Sequence, residues 1–123
     1  MPKRLNRKPI LIVDDDAEFT AYLSRLLSSS GYRPTVVSTE AAARASVIGA
    51  PPVVILIDVC LGKTSGWAVA RTLLAVAKVP VIMMTGGDVD ADTRNDAKLL
   101  GTNGILQKPF ETAELLRVLG EVE

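Results

Sequence analysis

Several apolar runs in this sequence stop on residues able to handle charge. "KPILIVDDDAEF" runs from Ile10 to Val13 straight into Asp14, Asp15 and Asp16, and "VVILID" ends on Asp58. Two further runs, "VIMMT" and "ILQK", end on Thr85 and Lys108. Packing in a small domain gives no reason to end buried segments this way. Brought into one crevice, the carboxylates would repel, since unit charges about 4 Å apart at an effective dielectric near 20 cost roughly 4 kcal/mol. Lys108 offsets one charge. A hard divalent cation on two carboxylates and a backbone oxygen would offset the rest, and magnesium with its retained waters suits that site. Such a cation bridges a carboxylate to a phosphoryl oxygen, which leaves the Thr85 hydroxyl and the Lys108 ammonium for the other oxygens. Asp58 then reads as a nucleophile, because carboxylates attack phosphorus to form aspartyl phosphates.

These residues need a scaffold that gathers strand ends, and the hydrophobic pattern supplies one. Short aliphatic runs at Ile10–Val13, Arg33–Val37, Val53–Ile57, Val81–Met84 and Ile105–Gln107 have the length and composition of buried strands. Helical spacing lies between them. Phe19, Leu23, Leu26 and Leu27 share one face of a helix that Asp16 caps and Gly31 ends. "TEAAARASVIGA" stops before Pro51-Pro52, and "GWAVARTLLAVA" sets Trp67, Ala70, Leu73, Leu74 and Ala77 on one face. "DADTRNDAKLLG" has apolar support only from Ala97, Leu99 and Leu100, whereas "ETAELLRVLGEV" is strongly amphipathic. Strands joined by helical crossovers are parallel, so the pattern predicts a doubly wound α/β domain with five strands and helices on both faces. In such sheets the functional crevice lies at the carboxyl ends of the strands, where Asp14, Asp15, Asp58, Thr85 and Lys108 all fall.

Composition removes other classes. The 123 residues are enough for one domain, and 48% hydrophobic with 23% charged residues is a globular balance. Lys plus Arg and Asp plus Glu each total 14, so no global basic field attracts nucleic acid or an anionic membrane. The cluster Lys3, Arg4, Arg7 and Lys8 reads as a solvated tail over residues 1–8, ahead of a domain over 9–123. Histidine is absent and Cys60 is the single cysteine, which excludes an internal disulfide, a multi-cysteine metal site and the familiar hydrolytic triads. With no signal-peptide core and no apolar run of membrane-spanning length, the expected location is the cytoplasm.

Taken together, "IVDDD", "ILIDVCLGKTSGW", "VIMMTGG" and "ILQKPF" resemble the receiver domain of bacterial two-component response regulators over nearly the whole chain. The resemblance implies a flavodoxin-like strand order 2-1-3-4-5. It implies Asp58 as phosphoacceptor, Mg2+ held by Asp15 directly, by Asp14 through water and by the Cys60 backbone carbonyl, and Thr85 and Lys108 as readers of the phosphoryl group. The Lys108-Pro109 bond is a candidate cis peptide. A sensor histidine kinase or a histidine phosphotransfer protein would donate the phosphoryl group, and a downstream protein target would read the response. Direct nucleic-acid binding and membrane insertion are not implied. Catalysis would be confined to the domain's own phosphorylation and dephosphorylation. The chain ends near its last helix, so it is expected to act as a stand-alone receiver, with a fragment of a longer regulator or hybrid kinase as the other possibility. Two positions depart from the family: Gly62 stands where a proline is common, which suggests a looser loop, and Ile105 replaces the usual switch Tyr or Phe.

Ordinary roles account for the neighbours. Asp16 is a helix cap, Gly66 and Gly86 serve backbone geometry, Trp67 and Phe110 pack, and Cys60 is a small hydrophobe. Two other functions compete. Asp14 and Asp16 imitate the Asp-x-Asp nucleophile motif of haloacid-dehalogenase-like phosphohydrolases, although such enzymes resemble longer chains. A flavodoxin or Rossmann-type nucleotide module would need a glycine-rich turn where this first strand has carboxylates.

Overall fold

The computed structural model describes residues 7–123. Strands β1 (Lys8–Val13), β2 (Tyr32–Val37), β3 (Val54–Asp58), β6 (Val81–Thr85) and β7 (Gly104–Gln107) form one sheet in the order β2-β1-β3-β6-β7. Every pairing in it is parallel. The short strands β4 (Cys60–Leu61) and β5 (Thr64–Ser65) pair antiparallel in a separate hairpin. With the hairpin set aside, the order is the expected 2-1-3-4-5. Helices α1 (Ala17–Ser29), α2 (Glu40–Gly49), α3 (Gly66–Val76), α4 (Ala91–Leu100) and α5 (Thr112–Val122) make the crossovers and the C-terminal turn back onto the sheet.

Alternation along the strands divides the core into two layers. Leu11, Val13, Ile55, Ile57, Val81 and Met83 meet Ala43 and Val47 of α2 and Val69, Ala70 and Leu73 of α3. Ile10, Ile12, Val54, Leu56, Ile82, Met84 and Leu106 meet Leu23 and Leu27 of α1 and Leu115 and Leu119 of α5. The central strand β3 is buried over its whole length, which is why it reads as a continuous apolar run. Pro34 sits in the edge strand β2, where a missing N–H costs no ladder bond on the open side.

Helix starts follow their caps. The side chains of Asp16, Thr39, Ser65 and Asp90 accept backbone N–H bonds at the starts of α1, α2, α3 and α4. Gly101, at φ 98°, ends α4 in a left-handed turn. Helix α4 is the least anchored: it buries only Ala97, and Leu99 is 79% exposed.

Lys8 opens β1, pairing with Tyr32, so the strand begins two residues before the sequence pattern places it. Arg7 donates to the Ser28 carbonyl at 2.9 Å, and Lys8 Nζ meets Glu123 at 2.6 Å. Those two residues of the expected tail are therefore held against the domain, while Lys3 and Arg4 lie outside the described residues. Glu123 also accepts the Tyr32 hydroxyl bond, which ties the end of α5 to the β1–β2 edge. No helix among the described residues is long and apolar enough to cross a membrane.

Candidate functional site

Strand parity brings the acids and the lysine together. Ile12 and Leu56 face the α1–α5 layer and stand side by side, so two residues further on Asp14 and Asp58 share that face at adjacent strand ends. Leu106 faces the same layer from β7, and Lys108 follows it by two. The Lys108 ammonium reaches Asp14 Oδ2 at 2.7 Å and Asp58 Oδ2 at 3.2 Å. Asp14 and Asp58 are buried, 2% and 9% exposed, so both ion pairs lie largely out of bulk water.

Each buried carboxylate has a second anchor. Asp14 Oδ1 accepts the Asp16 N–H at 3.0 Å, and Asp58 Oδ1 accepts the Cys60 N–H at 3.1 Å. Burial pushes the Asp58 carboxyl above the ordinary aspartate range. The Cys60 amide and Lys108 pull it back, and the charge of Asp14 adds to the rise. For Lys108, burial acts to lower the pKa, but bonds and charges from Asp14 and Asp58 outweigh it and hold the ammonium above the ordinary lysine value.

Asp15 completes an acidic cluster on the exposed side: one oxygen from each of Asp14, Asp15 and Asp58 lies within 4.8 Å of the others. The donors are all oxygen, the choice of a hard divalent cation. The residues fit a divalent cation.

The hairpin after β3 forms the other wall. Val59 N–H donates to the Met84 carbonyl at 2.8 Å, and Gly66 N–H donates to the Val59 carbonyl at 2.7 Å. Gly66 leaves no room for a side chain, since a Cβ there would lie 1.8 Å from the Asp58 carbonyl oxygen. Gly62 holds φ 59°, which the fixed φ of a proline near −65° cannot reach. The loop expected to be loose is instead paired at Cys60–Ser65 and Leu61–Thr64. A Cβ on Gly62 would face Asp15 Oδ2 at 3.5 Å, so the turn lies beside the cluster.

Thr85 ends β6, half-buried, and its Oγ1 accepts the Gly87 N–H at 3.1 Å. The Lys108 N–H donates to the Thr85 carbonyl at 2.7 Å, joining these two strand ends, and the Lys108-Pro109 bond is cis. Cys60 corrects an expectation: the residue is exposed rather than packed, and its backbone N–H bonds Asp58 Oδ1. Asp16 stays a cap, donating no oxygen to the cluster, with its Oδ1 accepting from Phe19 N at 3.0 Å. Ile105 is half-buried against the Met83 and Leu100 side of the core. Sequence reasoning assigned Phe19 to helix packing alone, yet the Lys108 ammonium lies over its ring, 4.0 Å from the centre. The signal was available in hindsight of the cap: an N-cap at Asp16 places residue 19 in the first turn, beside the strand end.

Comparison with known proteins agrees with this architecture. The family model for the response regulator receiver domain matches residues 10–120. The heme response regulator HssR of Staphylococcus saprophyticus is 35% identical over 107 residues, covering 86% of this chain and 47% of that protein. The transcriptional regulatory protein GltR of Pseudomonas aeruginosa is 33% identical over 114 residues, covering 90% and 47%. The chain thus spans about half the length of these relatives. Among solved structures, the chemotaxis protein CheY4 of Vibrio cholerae superposes with a TM-score of 0.87 at 25% identity, covering 95% of this chain and 99% of that one. A response regulator of Burkholderia pseudomallei, solved with a phosphorylated aspartic acid, a calcium ion and citrate, gives 0.83 at 25% identity, covering 91% and 66%.

Proposed function

This chain belongs to the response regulator receiver family, and from that premise we propose that it accepts a phosphoryl group on Asp58 in a magnesium-dependent reaction. The donor is the phosphohistidine of a sensor kinase or of a histidine phosphotransfer protein. An Asp58 oxygen attacks phosphorus, the P–N bond to the donor imidazole breaks, and its electron pair returns to the ring nitrogen. Asp14, Asp15, Asp58 and the Cys60 carbonyl would hold Mg2+, which when bound neutralises charge between carboxylate and phosphoryl oxygens. Lys108 and Thr85 take the remaining phosphoryl oxygens, and Lys108 keeps Asp14 as its fixed partner.

The observation that carries this reading is the Lys108 ammonium shared between Asp14 and Asp58 at adjoining strand ends, with the exposed Asp15 beside them. A buried carboxylate already paired with a movable cation and open to solvent on one side is placed to exchange that partner for a phosphoryl group. The phosphorylated aspartic acid in the Burkholderia pseudomallei relative supports the same chemistry here. Receivers are signalling domains rather than enzymes acting on outside substrates, and the output here would pass to a partner protein or a further phosphotransfer step in the cytoplasm. The phosphohydrolase reading loses its second acid, because Asp16 is committed to capping α1.

The test is 31P NMR of the protein with acetyl phosphate. A protein-borne aspartyl phosphate resonance, separate from that of the donor and retained after the donor is removed, should appear only with magnesium and be absent in Asp58→Asn. A resonance of equal strength in Asp58→Asn would overturn the assignment.

A further inference from the structure

We infer that Phe19 is a positioning residue for phosphoryl acceptance, its ring face holding the Lys108 ammonium in the fork between Asp14 and Asp58; this rests on the reading of Asp58 as phosphoacceptor. The ammonium lies 4.0 Å from the ring centre, 2.7 Å from Asp14 Oδ2 and 3.2 Å from Asp58 Oδ2. A lysine head has three N–H groups and no acceptor. Two meet carboxylates, and the negative face of an aromatic ring attracts the cation from another side.

The ring is itself held at both ends. Its backbone N–H donates to Asp16 Oδ1 at 3.0 Å, which fixes the first turn of α1. Phe110 meets it edge-on, with ring centres 5.9 Å apart and planes at 87°. Phe110 lies two residues after Lys108, so the ring that meets Phe19 comes from the lysine's own segment.

This arrangement has a use in the reaction. When Asp58 becomes an acyl phosphate, the ammonium must turn from Asp58 Oδ2 to a phosphoryl oxygen without leaving the crevice. A four-carbon stem loses rotamer freedom when its head is fixed. A ring and Asp14 that already hold the head leave only a short swing. An aliphatic side chain at position 19 would fill the space and offer no negative face.

The test compares Phe19→Leu and Phe19→Met, which lose the ring, with Phe19→Tyr, which keeps it. In the metal-free protein the Lys108 side-chain methylene protons should be shifted upfield by the ring current, and both aliphatic variants should lose that shift. Phosphoryl acceptance from acetyl phosphate with magnesium, followed by intact mass, should slow about tenfold in both aliphatic variants and stay near the wild-type rate in Phe19→Tyr. In a Lys108→Met background, Phe19→Leu should change the rate by less than about twofold, because its effect passes through the lysine. The inference fails if the aliphatic variants react at the wild-type rate, if the tenfold loss persists without Lys108, or if the upfield shift is missing. Wild-type protein that accepts no phosphate would sink the reading of Asp58 instead, a separate outcome from a missing ring-current shift.

Discussion

Replacing Asp58 by asparagine should stabilise the metal-free protein at neutral pH. At an effective dielectric of about 20, the 3.2 Å pair with Lys108 contributes roughly 5 kcal/mol of attraction. Repulsion from Asp14, within 4.8 Å, costs at least about 3.5 kcal/mol on the same scale. These contributions nearly offset, so burial decides the sign. An ionised carboxylate loses several kcal/mol of hydration on burial, whereas a neutral amide loses only about 1–3 even when left without a hydrogen bond. Asp58→Asn keeps an oxygen for the Cys60 amide and leaves Lys108 paired with Asp14. We expect a gain of about 2 kcal/mol, or roughly 6–10 °C in melting temperature for a domain of this size. The pH dependence has a definite sign. Burial raises the folded pKa of Asp58, so its penalty is present above that raised value and vanishes as pH falls to the unfolded value near 3.9. Urea unfolding of both proteins from pH 7 down to about pH 4 should show the asparagine advantage shrinking. An Asp58→Asn protein no more stable than wild type at pH 7, or an advantage that grows on acidification, would refute the reasoning.

Magnesium at about ten times its dissociation constant should stabilise wild type by about 1.4 kcal/mol. Asp15→Ala should abolish that gain in a thermal melt, and an unchanged response would remove Asp15 from the ligand set. Gly66→Ala should cost at least about 3 kcal/mol in urea unfolding, because its Cβ would lie 1.8 Å from the Asp58 carbonyl oxygen. Gly120→Ala, with open space around it in α5, should gain up to about 1 kcal/mol and serves as the control. The phosphoryl group should be long-lived, because neither exposed Cys60 nor exposed Gly87 can hold a water in line for attack. Cys60→Asn and Gly87→Glu should both speed loss of phosphate after donor removal; decay no faster than wild type in both would show that access or Asp58 geometry sets the lifetime.

The parts legible in sequence were those set by burial and parity. Strands β3 and β6 are buried on both faces and read as unbroken aliphatic runs, and their last residues, Asp58 and Thr85, stand at the functional edge. Asp14, Asp58 and Lys108 follow from counting two residues past buried partners. What escaped depends on contacts between residues distant in the chain. The β4–β5 hairpin exists because Gly66 lets its backbone close on Val59, and two-residue strands leave no periodic trace. The early start of β1 depends on Tyr32 and on Glu123, far along the chain. Phe19 has ordinary helix-face spacing, and only the folded chain sets its ring beneath Lys108. Cys60 was read as a small hydrophobe; in the hairpin the residue is exposed instead.

Intact mass spectrometry after incubation with acetyl phosphate tests the central claim most directly. Wild-type protein with magnesium should gain the mass of one phosphoryl group, and should gain none when the metal is chelated. Asp58→Asn should gain none under either condition. A single phosphoryl adduct on Asp58→Asn matching wild type, or an adduct on wild type that forms equally well without magnesium, would contradict the account.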